Sequence, residues 1–141
     1  MIDFENHTSI DIDDAIFEPI LEALTSKDIE VIIVNDEEMT AINFQTRQKN
    51  SPTDVLSFPL EDVPDSNLLG SIIISIDHAL AVVKKLSHTL DDELSLLFLH
   101  GLLHLLGYDH EVDDGEMREK EAEFISKFKL PASLIIRTEE F

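Results

Sequence analysis

The sequence predicts one α+β domain over residues 1–141, a small mixed sheet of about four strands packed with about five helices. Three observations lead there. β-Branched runs alternate with helical patterns in the first half of the chain, and helical patterns dominate the second half. The run Leu94–Leu106 is apolar nearly all round, which predicts a helix at the centre of the core. The length, 141 residues with 43% hydrophobic and 28% charged, suits a single domain with its own core, and no repeat or linker divides it.

Met1 to Asn6 alternates apolar and polar residues and predicts a short strand. Ser9 or Asp11 is placed to cap a helix through Ile12, Ala15, Ile16, Ile20 and Leu24, although Pro19 falls in its middle. Ile29–Val34 is a β-branched strand. Asn35 or Asp36 caps a second helix through Met39, Ile42 and Phe44. Asn50-Ser51-Pro52 reads as a turn, and Thr53–Phe58 as a strand stopped by Pro59. Gly70-Ser71 leads into a buried strand, Ile72–Ile76, and Asp77 caps a helix through Leu80, Val83 and Leu86. Asp91 or Asp92 opens the long apolar helix, where acidic residues suit the positive end of the dipole. Asp113 or Asp114 caps a last helix to about Phe128, rich in Glu and Lys at helical spacing. Pro131–Thr138 is a short apolar tail expected to dock on the body.

There is no cysteine, which excludes disulfides and thiolate metal sites and suits a reducing cytoplasm. The N-terminus lacks the basic-then-apolar layout of a signal peptide. Leu94–Leu106 is too short to span a bilayer and carries two histidines. A soluble, cytoplasmic protein is expected. Thirty acidic against ten basic residues give a net charge of −20, which repels nucleic acid at long range. The acid is uneven. Met39–Leu60 holds Arg47, Lys49 and only Asp54; Ser66–His88 holds Lys84, Lys85 and only Asp77. Any contact with phosphates is expected in those stretches.

The segment His100-Gly101-Leu102-Leu103-His104-Leu105-Leu106-Gly107-Tyr108-Asp109-His110 carries the chemistry. Residues i and i+4 share one helix face, so His100 and His104 can reach one ion. Gly107 suits the left-handed position just past a helix end, and the chain can then turn back and deliver His110. Three neutral imidazoles with a fourth position open to water describe a catalytic zinc site rather than a closed structural one. His7, His78 and His88 have no such partners in sequence and read as surface or capping residues.

The zinc-protease pattern H-E-x-x-H-x-x-G-x-x-H matches at His100, His104, Gly107 and His110. Gly101 stands where that pattern has its general-base glutamate, so the peptidase machinery is incomplete. Hydrolysis of a phosphodiester would call for an arginine to steady the developing charge. Arg47 precedes the Pro52–Pro59 segment in a locally neutral stretch and reads either as that group or as a solvated surface arginine. Asp109 reads either as a carboxylate orienting a ligand imidazole or as a turn residue. The acidic run from Glu111 through Glu116, Glu121 and Glu123 reads as a solvated helix face.

The His100–His110 segment resembles the signature of the YbeY family, bacterial zinc-dependent endoribonucleases of ribosomal RNA maturation. Ala41-Ile42-Asn43-Phe44-Gln45-Thr46-Arg47 with Pro52-Thr53-Asp54-Val55-Leu56-Ser57-Phe58-Pro59 resembles a second family segment, and Leu69–Ser75 a third. They fall in the family's order between about residues 35 and 125. The resemblance implies one α+β domain, one Zn2+ per chain held by His100, His104 and His110, and Arg47 as the catalytic residue near the metal. It also implies a single-stranded ribosomal RNA precursor as substrate and ribosome or ribosome-associated proteins as partners. Thr46 stands where the family usually has Tyr, and Ser71 where it usually has Asp; neither is a metal ligand. The charge suggests RNA presented by a ribosome or partner protein. A metallopeptidase-like hydrolase and a non-enzymatic zinc-containing ribosome assembly factor are the competing readings.

Overall fold

The computed structural model describes residues 1–60, 65–86, 88–109 and 111–130. Its sheet has four strands, β1 (Ile2–Asn6), β2 (Asp28–Val34), β3 (Val55–Pro59) and β4 (Leu68–Ser75), in the order β1-β2-β4-β3. β1, β2 and β4 run parallel, and β3 closes one edge antiparallel to β4. The central strands are continuous apolar runs because both their faces are covered. On one face Val31, Ile33, Ile72 and Ile74 pack into the main core; on the other Val34, Leu56 and Ile73 meet Met39.

The helices are α1 (Glu18–Leu24), α2 (Asp36–Arg47), α3 (Ile76–Leu86), α4 (Leu90–Leu105) and α5 (Glu116–Phe128). As expected, α4 is the core helix: every residue from Glu93 to Leu103 is buried. α1, α3 and α5 pack around it and β3 and β4 lie beneath it. α2 covers the opposite face, near Met39.

Several boundaries differ from expectation. The helix expected from Ser9 or Asp11 is a short 3-10 turn at Asp14–Ile16, capped by Asp13, followed by α1. Pro19 thereby falls in the first turn of α1, where its missing N–H costs nothing. Phe17 joins the two pieces, fully buried with its ring 4.8 Å from Phe98. β4 starts at Leu68 and stops at Ser75, so Ile76 belongs to α3. Ser75 Oγ, not Asp77, accepts the first-turn amide of His78; the Asp77 carboxylate accepts from the Asp36 amide instead. Thr89, not Asp91 or Asp92, caps α4 by accepting from the Asp92 amide. Gly115, left-handed, and not Asp113 or Asp114, is the N-cap of α5, while Asp113 accepts from the amides of Gly115 and Met117 just ahead of it. The tail expected at Pro131–Thr138 lies outside the described residues.

The other histidines all meet carboxylates. His88 is not a surface residue: it is mostly buried and bonds Glu93 at 2.8 Å, which compensates a carboxylate otherwise enclosed in α4. His78 Nδ1 lies 2.8 Å from Asp36. His7, half-exposed, bridges Glu38 of α2 at 2.8 Å and Glu5 of β1 at 3.3 Å. Its hydrogen bond to the Glu38 carboxylate raises its pKa above the ordinary 6.5. The charged bridge therefore stabilises the fold fully below about pH 6.5 and fades as pH climbs through the raised value. Ring-proton NMR of the folded chain should show His7 titrating above its midpoint in urea; coincident midpoints would show that the bridge is worth nothing.

Candidate active site

His100 and His104 lie on the last turns of α4 with ring centroids 4.8 Å apart, edge to face. α4 cannot continue past them. Gly107 has φ +102°, its amide donates to the His104 carbonyl and the Tyr108 amide to that of Leu103. This is the turn that the spacing predicts. It sends Asp109 and Glu111 back to the wall of the cavity that the two histidines line. His110, between them in sequence, lies outside the described residues.

The cavity is open and measures about 340 Å³. α4 supplies the histidines, the edge strand β3 one wall, and the end of α2 supplies Arg47. Arg47 is thus brought to the histidines from a distant part of the chain. Its position depends on how α2 ends. Gln48 is left-handed at φ +55°, its amide bonds the Phe44 carbonyl, and the Asn43 side-chain amide bonds the Ser51 carbonyl at 2.8 Å. Asp109 is used by the turn, since its carboxylate accepts from the Glu111 amide at 3.0 Å.

The carboxylate on the first histidine is Glu121 of α5. It is fully buried and sits 2.9 Å from His100 Nδ1. This corrects the expectation of a solvated face for Glu121 alone; Glu116, Glu119 and Glu123 are exposed as expected. Sequence reasoning passed over Glu121 although a signal existed: Met117, Glu121, Phe124 and Phe128 follow the 4, 3, 4 spacing of an apolar stripe, so Glu121 occupies a core position. A carboxylate facing Nδ1 favours the ring proton there, so that Nε2 would be the nitrogen to meet an ion. The donor set therefore fits a zinc-type ion: imidazoles at one helix face, one of them oriented by a buried carboxylate. Among the described residues no cluster of three or more ligand side chains is placed to hold an ion; His110 would have to complete it.

Gly101 explains the absent protease glutamate. A Cβ there would come within 3.0 Å of Ile72 Cγ2 and of Ser57 Oγ, and Ser57 donates to the Gly101 carbonyl at 3.0 Å. α4 sits directly on the sheet at this point. Position 101 therefore faces packed strands, and a side chain there would have to push Ile72 and Ser57 aside.

The family model described as Endoribonuclease YbeY matches residues 4–129. The chain belongs to the YbeY family. A relative from Nautilia profundicola named Endoribonuclease YbeY is 56% identical over 140 residues, 99% of this chain and 100% of that protein. One of the same name from Aliarcobacter butzleri is 53% identical over 138 residues, 97% and 99% of the two chains. A Thermotoga maritima protein solved in solution shares the fold with a TM-score of 0.60 and 30% identity, over 89% of this chain and 87% of that one. In this YbeY family member, no helix among the described residues is long and apolar enough to cross a membrane.

Proposed function

We propose that this chain is a single-strand-specific, zinc-dependent endoribonuclease acting in the cytoplasm in ribosomal RNA maturation and ribosome quality control. The observation that carries the reading is that Arg47 and the His100–His104 pair line one open cavity. The names of the family's curated members support the reaction class.

His100, His104 and His110 would hold one Zn2+, which supplies Lewis-acid chemistry, activating water near neutral pH and polarising a phosphoryl oxygen. Glu121 keeps the His100 proton on Nδ1. Arg47 offers a planar fork of donors to two oxygens of the scissile phosphate and neutralises the charge that builds there. Asp54, Asp109 and Glu111 line other parts of the cavity and repel phosphate, so the phosphate settles toward Arg47. Peptide hydrolysis is disfavoured, because Gly101 stands where such chemistry uses a glutamate and is packed against the sheet.

The test is cleavage of one RNA, single-stranded and then annealed to its complement, by protein of measured zinc content. Cutting of the single strand alone, lost on chelation and restored by a single equivalent of zinc, is expected. Cutting that survives chelation would remove the metal from the reading, and equal cutting of the duplex would remove the strand preference. A ribosomal precursor should be cut faster within ribosomal particles than as naked RNA; the reverse would argue against a ribosomal partner.

A further inference from the structure

We propose that Phe44 is a stacking platform for an unpaired base of the RNA strand, next to the nucleotide whose phosphate Arg47 holds; this rests on the nuclease reading above. Phe44 is 55% exposed on α2 and belongs to neither apolar cluster among the described residues. The other exposed large hydrophobics, Met1, Leu60, Leu86 and Val112, are aliphatic. Phe44 and Arg47 stand at i and i+3, so their Cβ atoms lie about 5–6 Å apart on one helix face. An aromatic ring therefore sits beside the arginine that reaches into the cavity.

Charge decides which way a strand leaves that cavity. Asp54, Asp109 and Glu111 line the same cavity and repel phosphate. From Met39 to Thr53 there is no acidic residue, and Lys49 follows Arg47 on the exposed end of α2. The backbone of the RNA is thus led over α2, where Phe44 waits beside it. The ring is presented by a fixed support: the left-handed Gln48 and the Asn43–Ser51 bond lock this end of the helix. A ring stacks on any unpaired base and is inaccessible to bases held in a duplex. Stacking also gives this −20 chain an attraction for RNA that salt does not screen.

The experiment compares wild type, Phe44→Ala and Phe44→Trp on a cleavable RNA and on copies carrying an abasic ribose at each position flanking the cut. Phe44→Ala should raise KM on the order of tenfold, the loss of one stacked base, with kcat and zinc content little changed. Phe44→Trp should restore the wild-type KM. At one abasic position the KM of wild type should rise to that of Phe44→Ala, and the variant should lose nothing more. The salt dependence of KM should be unaltered in Phe44→Ala but shallower in Lys49→Ala. Wild-type KM for Phe44→Ala on every RNA, or a defect that is the same on all abasic copies, overturns the proposal while the nuclease stands. Failure of wild type to cut any RNA overturns the reading beneath it.

Discussion

His104→Ala is expected to purify folded, without zinc and without cleavage. The residue lies in the last turn of α4, beyond the fully buried stretch, and alanine is the best helix former, so the scaffold should survive. Its imidazole faces that of His100 across 4.8 Å, and removing one of the three proposed ligands would leave too few for retention. The several kcal/mol that a bound cation lends a developing charge correspond to a loss of roughly 10³-fold or more in rate. Zinc per chain, a thermal melt and cleavage should be read on one preparation. Wild-type zinc in His104→Ala would sink the ligand assignment. Glu121→Gln is the graded companion: it keeps the shape but not the charge beside His100 Nδ1, and should weaken zinc binding by about 10–100-fold.

Arg47→Ala separates the two halves of the site. Zinc and melting temperature should stay at wild-type levels, since Arg47 is exposed at the end of its helix. Cleavage should fall about 10²–10³-fold, the usual cost of removing one donor aimed at developing charge. Arg47→Lys should recover part of this, because it restores the charge without the two-pronged geometry. Undiminished cleavage by Arg47→Ala would reassign the arginine to the solvated surface.

The fold was legible where local chemistry decides it. The isoleucine and valine runs of β2 and β4 and the all-round apolarity of α4 leave little choice of structure or burial. So was the turn at Gly107. Boundaries failed where a side chain answers to a distant group. Asp77 sits at a helix start, yet its carboxylate goes to the Asp36 amide from another element, and Ser75 takes the cap. The first helix failed differently: its apolar spacing ran through Pro19, which only a first turn accepts, so the chain broke at Phe17. In the site, the i, i+4 histidines needed only helix geometry. Glu121 was obscured by Glu116, Glu119 and Glu123, acids that share its helix but not its face. Arg47 reaches the histidines because α2 lies on the far side of the sheet from α4 and ends at the edge strand between them. No local pattern encodes that approach.

The contact at Gly101 bears on how the chain would hold the proposed ion. With no side chain there, α4 rests on Ile72 and Ser57, and the apolar core rather than any ligand fixes where the imidazoles stand. On the zinc reading, the placement of these two imidazoles is a by-product of folding, unlike that in small zinc modules that collapse without metal. A chain that holds the proposed ion in this way would surrender it and take it up again without passing through an unfolded state. Its metal occupancy would then follow the supply in its surroundings, and the cell would set the pool of competent enzyme without making or degrading a single molecule.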